Sequence, residues 1–170
     1  MPFAELLRTT VFLTAGGATA LGAVAVIGAQ RDFNTTLLII SAVWWIVAAW
    51  IGLSLGQSDK TADSMREVLA GAKSVHKDGA TPSLGEPGRI AWARLWPILA
   101  AVATAGGLGV VFPEVAAIGS GYALLVALAW RNREGAVLAI EGRDGVRFLV
   151  ENGSPFKAVK LIRTPGFRAF

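Results

Sequence analysis

The chain has 170 residues, of which 54% are hydrophobic and only 16% charged, whereas soluble domains carry about a quarter charged residues. It has no cysteine, which excludes disulfides, thiolate metal sites and thiol catalysis. Long uncharged stretches alternate with short charged ones, as in membrane proteins, and in such proteins a net charge of +4 more often marks cytoplasmic loops than nucleic-acid binding.

Four segments are long and apolar enough to be transmembrane helices, because crossing a bilayer takes about 20 apolar residues. They are residues 9–29, 35–56, 90–112 and 114–130. The last is short, so either Pro113 and Glu114 complete its first turn or the bilayer is thinned around it. Buried helices of a soluble protein are the alternative, but those seldom run past about 14 apolar residues.

The expected fold is therefore mainly α, with a four-helix transmembrane bundle in residues 1–131. A cytoplasmic loop, residues 57–89, is expected to hold an interfacial helix, and residues 132–170 a small β-hairpin or meander. The first span also resembles a signal peptide, since Arg8 precedes it and Ile27, Gly28 and Ala29 resemble a cleavage site. Cleavage of this span is therefore an alternative to its retention.

Lysine and arginine predict the orientation of the spans, because both residues concentrate in cytoplasmic segments. The long loop and the tail are rich in them. The link between the first two spans has only Arg31, offset by Asp32, and the link between the last two has only Glu114. We therefore expect both termini and the long loop to be cytoplasmic.

Small residues recur four positions apart in the spans, a spacing that lets helix backbones approach closely in lipid. The expected packing residues are Ala48, Gly52, Gly56, Ala105, Gly109, Gly119 and Ala123. The alternative is that alanine and glycine are simply abundant in this chain, which has 20 glycines.

Aromatic and basic residues near the span ends predict the membrane boundary, where amphipathic side chains concentrate. These are Trp92, Arg94, Trp96, Trp130 and Arg131.

Trp44 and Trp45 lie instead in the middle of the second span. Adjacent residues of a helix point about 100° apart, so one indole is expected inside the bundle and the other against lipid or another chain. Pro97 is expected to bend the third span. These three residues are the candidate contacts for a lipid or ligand, and plain packing is the alternative.

The extramembrane segments carry patterns of their own. Ser64 and Glu67 form a capping box ahead of an amphipathic helix over Met65–Val75. In the tail, the runs "AVLAIE", "VRFLVE" and "AVKLIR" predict strands, with "GRDG" as a hairpin turn. The second run places Val146, Phe148 and Val150 on one face. A tail of this length is too short to bury a core of its own. This face is therefore expected to dock on the Met65–Val75 helix, the bundle ends or a partner.

The run from Trp130 to Phe170 resembles the C-terminal signature of a family of small, uncharacterised actinobacterial integral membrane proteins. The matching pieces are "AIE", "RDGVRF", "SPF" and "RTPGF", together with "RLWP" at Arg94–Pro97. The resemblance implies a multi-pass protein of the bacterial cytoplasmic membrane. It implies no catalytic residue.

The sequence offers no nucleophile–base pair, since it has one histidine and no cysteine, so no enzyme, cofactor or metal site is expected. The spans have no Asp, Glu, Lys, Arg or His near their middle, which argues against a pump or a proton-coupled transporter. Nucleic acid is not an expected partner, because the basic residues of the tail are interleaved with acidic ones.

Three roles stay open. The protein is expected to be an accessory or scaffold subunit of a membrane complex, in contact with lipids and with a membrane protein partner or further copies of itself. The first alternative is an oligomeric carrier or channel for a lipophilic or small neutral molecule. The second is a lipid-modifying enzyme without a recognisable motif.

Overall fold

The computed structural model describes residues 1–31, 35–74, 87–151 and 159–165. Its helices and strands are, in chain order, α1 (Phe3–Arg31), α2 (Thr35–Leu55), α3 (Ser58–Ala70), β1 (Lys73–Ser74), α4 (Pro87–Val111), α5 (Pro113–Trp130), α6 (Arg133–Asp144), β2 (Val146–Val150) and β3 (Leu161–Pro165). Four of these helices, α1, α2, α4 and α5, are long and apolar enough to cross a membrane. The mainly α fold with a small sheet is confirmed, and it is the fold of a membrane protein.

The membrane-crossing helices differ from the predicted spans mainly at their beginnings. α1 begins at Phe3 rather than residue 9, and α4 begins at Pro87 rather than residue 90. Hydropathy detects only the part of a helix that suits the hydrocarbon layer, and a helical backbone continues beyond it. Charged residues such as Arg8 and Arg89 are therefore helical although they lie outside the predicted spans.

The chain divides into two units, neither of which is continuous in sequence. The bundle unit comprises Thr10–Gln57 and Pro97–Arg131. The sheet unit comprises Met1–Thr9, Ser58–Trp96 and Asn132–Phe170. The boundary expected from the sequence, at residue 131, thus corresponds to the last of several crossings between the units.

In the bundle unit, α2 and α5 run parallel. Gly52 of α2 lies beside Leu125 of α5, and Gly56, one turn further along α2, lies beside Leu128. Residues later in α2 thus lie beside residues later in α5, as in parallel helices. α2 and α5 are in extensive contact along this line.

α1 and α5 run in opposite directions. Ser120 of α5 contacts Ala18 of α1, whereas Pro113, earlier in α5, lies beside Gly28, later in α1. α4 and α5 are likewise antiparallel. The paired positions across α4 and α5 are Gly109 with Ala116 and Ala105 with Gly119. Consecutive helices of the bundle unit thus alternate in direction.

The sheet unit contains strands in the order β1–β3–β2. β2 and β3 are antiparallel, with Phe148 opposite Arg163, and the two residues of β1 pair with β3 in parallel. Beyond β2 the N-terminal residues continue the pairing, because the Val150 N–H donates to the Met1 carbonyl at 2.9 Å. The N-terminal residues, which are distant in sequence from β2, thus extend this sheet of short strands.

The first predicted strand, "AVLAIE", is wrong, because residues 136–141 belong to helix α6. Val137 and Ile140 are buried three positions apart, which is helical rather than strand spacing. The "GRDG" stretch is the end of this helix and not a hairpin turn. Gly145 adopts the left-handed conformation, with φ of 63°, and its N–H donates to the Glu141 carbonyl, as in helix C-caps.

The capping box at Ser64 is also wrong. α3 begins at Ser58, so Ser64 lies inside the helix, and its hydroxyl donates to the Thr61 carbonyl at 3.4 Å. α3 ends at Ala70, five residues before the predicted end at Val75, which lies outside the described residues. The predicted apolar stripe does have buried members in Met65 and Leu69, while Val68 is exposed.

Candidate functional site: packing and grooves of the helix bundle

The α2–α5 contact is built on the small residues of α2. Ala48 is fully buried, and a Cβ atom at Gly52 would lie 2.8 Å from the Leu125 carbonyl oxygen. A Cβ atom at Gly56 would collide with the Leu128 carbonyl oxygen. Because the obstacles are backbone atoms, they cannot move aside as a side chain can. These three expected packing residues thus lie together at one interface.

The remaining expected packing residues lie between α4, α5 and α1. A Cβ atom at Gly109 would lie 2.5 Å from the Ala116 Cβ atom. Gly119 lies beside Ala105 and Leu21, and α1 and α5 share a buried cluster with Leu21 and Ala116 among its members. Ala123 does not join this cluster but lines a groove described below.

Both central tryptophans bind α5, although one was expected to face away from the bundle. The Trp45 indole N–H donates to the Ala117 carbonyl at 3.0 Å, and that of Trp44 to the Ile118 carbonyl at 3.3 Å. The indoles diverge from α2 and reach consecutive carbonyls of one neighbouring helix. The Trp44 ring also contacts Tyr122 edge-on, with centroids 5.3 Å apart.

Two residues that hold this arrangement were not singled out from the sequence. A Cβ atom at Gly121 would occupy the position of the Trp44 indole nitrogen, so only glycine leaves room for that ring. The buried Ser120 hydroxyl donates to the Ala18 carbonyl at 2.8 Å and so links α5 to α1. The signal was available in "GSG", Gly119–Gly121, where a lone hydroxyl is flanked by glycines inside an apolar span.

A first groove lies among α1, α4 and α5 and has a volume of about 440 Å³. Pro97, Ala101 and Ala123 form part of its wall. Its polar members are few, and the Thr14 hydroxyl already donates to the Thr10 carbonyl of its own helix at 2.9 Å. The volume falls in the range of about 300–1,000 Å³ that small-molecule sites occupy. Such a groove suits an apolar chain.

A second groove, of about 410 Å³, lies between α2 and α5 near the ends where both helices begin. Leu37 and Ile40 of α2 and Ile118 of α5 provide apolar walls. Ser41, Trp44 and Glu114 also line this groove, and the surface that they present to it is apolar. Both grooves therefore present surfaces that are almost entirely apolar.

The expected interfacial residues divide between the two units. Trp92 and Trp96 belong to the sheet unit and are 66% and 43% exposed, and Arg94 between them is half-buried. Trp130 and Arg131 close the bundle unit, with Trp130 half-buried and Arg131 exposed. Large exposed indoles beside arginines suit a membrane boundary.

Within the sheet unit, the expected docking face of β2 is covered. Phe148 is 3% and Val150 1% exposed, while Val146 is half-buried. β2 lies beside α6, which in turn contacts α3. The Phe148 N–H donates to the Glu141 carboxylate at 2.8 Å, which fastens the strand to α6. The sequence predicts a strand over residues 136–141, so it does not indicate helix α6 as a neighbour of β2.

Charges in the sheet unit are mostly at its surface. The Arg143 side chain donates to the Asp144 carboxylate at 2.9 Å, and this hydrogen bond lowers the pKa of Asp144 and raises the pKa of Arg143. Burial lowers the pKa of Arg133. In the described ranges, no three His, Asp or Glu side chains are grouped so that they could hold a metal ion.

No family model, curated protein or solved structure matches this chain.

Proposed function

We propose that the chain is a multi-pass protein of the bacterial cytoplasmic membrane, with both termini and the loop of residues 57–89 in the cytoplasm. Two observations support this topology. The helices of the bundle unit alternate in direction, as consecutive crossings require, and lysine and arginine are concentrated in the segments assigned to the cytoplasm. The resemblance of residues 130–170 to an actinobacterial membrane protein family agrees with this location.

We propose further that the protein is a non-catalytic accessory or scaffold subunit of a membrane complex. The observation that carries this role is how the bundle uses its polar side chains. Ser120, Trp44 and Trp45 each donate to a backbone carbonyl of a neighbouring helix. Polar groups used in this way fix helix positions and do not line a path for ions. The spans also have no Asp, Glu, Lys, Arg or His near their middle.

The sheet unit supports the same role. It joins the N-terminal residues, the long loop, the beginning of α4 and the tail into one folded body. A body of this kind suits contact with another protein on the cytoplasmic side. The proposed partners are membrane lipids and a membrane protein or a second copy of the chain.

A carrier for a lipophilic molecule is the second candidate, and the first groove favours it. Its walls are almost entirely apolar and include Pro97, which cannot donate the helical hydrogen bond to the Ala93 carbonyl. A carrier would need this groove open, whereas a scaffold would not.

The two roles are separated by filling the first groove. Ala101 lines it and is exposed, so Ala101→Phe should occupy it without disturbing the buried helix contacts. Ala100→Phe is the matched control, since Ala100 is also exposed on α4 but lies outside the groove lining.

For a scaffold, Ala101→Phe and Ala100→Phe should both leave co-purification of a stoichiometric partner from gently solubilised membranes unchanged. For a carrier, Ala101→Phe alone should reduce transfer of a fluorescent lipid between vesicles. Purification with no stoichiometric protein, together with lipid transfer blocked by Ala101→Phe alone, would replace the scaffold role by the carrier role.

A further inference from the structure

We infer that residues 98–105 of α4 form a lateral gate of the first groove, a helix segment that moves away from α1 and α5 and so widens the groove. The segment is flanked by Pro97 on one side and by Gly106 and Gly107 on the other. Gate and groove both belong to the bundle unit. Such a gate is compatible with a scaffold and with a carrier, so it rests on neither role.

α4 is the least enclosed of the membrane-crossing helices. In its most apolar stretch 11% of the residues are buried, against 22–33% in the other three. Within residues 97–111, all of which the structure describes, only Gly109 is buried, whereas α5 buries six residues. Because little packing is lost when such a helix moves, its displacement costs less free energy than that of α5.

The interhelical hydrogen bonds given above do not involve this part of α4, since they join α1 to α5 and α2 to α5. The one polar side chain of residues 97–111 is Thr104, which is exposed and forms no hydrogen bond to another helix within the described ranges. Val102 and Ala105 hold the segment instead, by packing on the buried cluster of α1 and α5. Lipid gives no hydrophobic drive for such apolar contacts, so they separate at low cost.

Two bend sites flank the part of α4 that lines the groove, which consists of Pro97, Ile98, Ala101, Val102 and Ala105. Pro97 cannot donate a helical hydrogen bond and its ring crowds the Ala93 carbonyl, which makes proline the commonest cause of helix kinks. Gly106 and Gly107 follow the wall directly, and glycine has the lowest helix propensity apart from proline. The wall thus lies between two positions where a helix bends easily.

The two adjacent glycines are not required by packing. A Cβ atom at Gly107 would meet nothing within 4 Å, and one at Gly106 would meet Leu21 at 3.6 Å, an ordinary contact. Gly109 differs, because it leaves room for Ala116 and so keeps the end of α4 against α5. The end of α4 is therefore held in place, and the glycine pair before it supplies a bend rather than a contact.

The contact between Val102 and Gly17 defines the closed position of the gate. A Cβ atom at Gly17 would lie 2.9 Å from the Val102 Cγ2 atom, so glycine at this position lets α4 approach α1. Opening separates these two residues and withdraws Val102 and Ala105 from the cluster that they cover. The groove then widens beyond its volume of about 440 Å³.

A disulfide can lock the gate. The Cβ atoms at Gly17 and Val102 are 3.8 Å apart, and disulfides have a Cβ–Cβ distance of about 3.8 Å. The chain has no cysteine, so Gly17→Cys with Val102→Cys gives a single possible bond. Full-length protein with labelled methyl groups is studied in nanodiscs by relaxation dispersion, which detects motion on the microsecond to millisecond scale of helix movements.

We expect dispersion at the methyl groups of Val102 and Leu21 and none at Ala48, which is buried between α2 and α5. Oxidation of the cysteine pair should abolish the dispersion at Leu21, and reduction should restore it. Failure of the pair to oxidise, absence of dispersion at Val102 and Leu21 in the wild type, or dispersion at Leu21 that survives oxidation would overturn the gate.

A glycine variant tests the bend separately from the contacts. Gly107→Ala should lower the open population about two- to fivefold, the factor that corresponds to the cost of glycine in a helix. Gly16→Ala is the matched control, because a Cβ atom there also meets nothing within 4 Å but lies on α1. It should leave the open population unchanged. Equal open populations in the two variants would show that α4 does not bend at Gly107.

Discussion

The two units of this protein are packed by different means. In the bundle unit, Gly52, Gly56 and Ala48 bring helix backbones into contact, and single hydroxyl and indole groups join the helices. In the sheet unit, large side chains fill the interior, among them Phe148, Val150, Ile90, Met65 and Leu69. The difference follows from the solvent. Water drives large apolar groups inward, whereas lipid gives no such drive and favours close approach of small residues.

Replacing Phe148 by alanine should have the largest effect. The side chain is 3% exposed, and deleting a buried phenylalanine costs about 3–5 kcal/mol. Hydrogen exchange should rise across α6 and β2. Because α3 contacts α6, exchange should rise in α3 as well. Exchange in α2 and α5 should not change.

Arg147→Ala is the control, because Arg147 is exposed on the opposite face of the same strand. A Phe148→Ala protein with unchanged exchange in α6 and β2 would show that large-residue packing does not hold the sheet unit.

Replacing a glycine of the bundle unit by alanine should have the next largest effect on stability. The change should be destabilising at one position and stabilising at another. Gly52→Ala places a Cβ atom 2.8 Å from a backbone oxygen of α5, and overpacking of this kind costs about 1–3 kcal/mol. Gly107→Ala meets nothing within 4 Å and should instead stabilise its helix by about 0.5–1 kcal/mol. Thermal unfolding in detergent compares the two variants.

If the two alanine variants unfold at the same temperature, the glycine spacing in α2 reflects composition and not packing. Close approach at Gly52 would then not distinguish the packing of the bundle unit from that of the sheet unit.

A smaller effect is expected from Ser120→Ala, which removes the hydrogen bond to Ala18. Interhelical hydrogen bonds in membranes average about 0.6 kcal/mol and reach about 1.7. Ser54→Ala removes a bond within α2 and should leave stability unchanged. Denaturation of both variants in mixed micelles would resolve the difference, and equal stability would mean that Ser120 does not link α1 to α5.

The smallest effect concerns Asp144, whose pKa is lowered chiefly by the hydrogen bond from Arg143. A carboxyl group with a lowered pKa in the folded state stabilises that state at neutral pH, and the contribution is lost as the pH falls through the lowered pKa. Asp144→Asn should therefore melt slightly below the wild type at neutral pH and together with it in acid. A difference that grows in acid would contradict this sign.

The bundle was easier to predict from the sequence than the sheet unit. Hydropathy over residues 35–56 and 90–112 located α2 and α4 because a bilayer demands long uninterrupted apolar runs. Residues 136–141 were misread because Val and Ile favour strands locally, while the helix depends on the buried spacing of Val137 and Ile140 and the cap at Gly145. Burial against other elements cannot be predicted from a sequence window of six residues.

Site residues show the same division. The glycines of α2 were predictable because their spacing alone places them on one helix face. The partners of Trp44 and Trp45 were not, because an indole can reach a neighbouring helix in either direction and only the position of α5 decides it. The pairing of Met1 with Val150 joins opposite ends of the chain and has no local signal.

The central claim is a bundle of four crossings with both termini in the cytoplasm, and cysteine labelling in intact cells tests it most directly. The chain has no cysteine of its own, so single cysteines at two exposed positions report without background: Gln30, near the end of α1, and Gln57, just after α2. A membrane-impermeant maleimide should label Gln30→Cys and leave Gln57→Cys unlabelled until the membrane is opened. Labelling of Gln57→Cys alone, or equal labelling of both in sealed cells, would contradict the proposed topology.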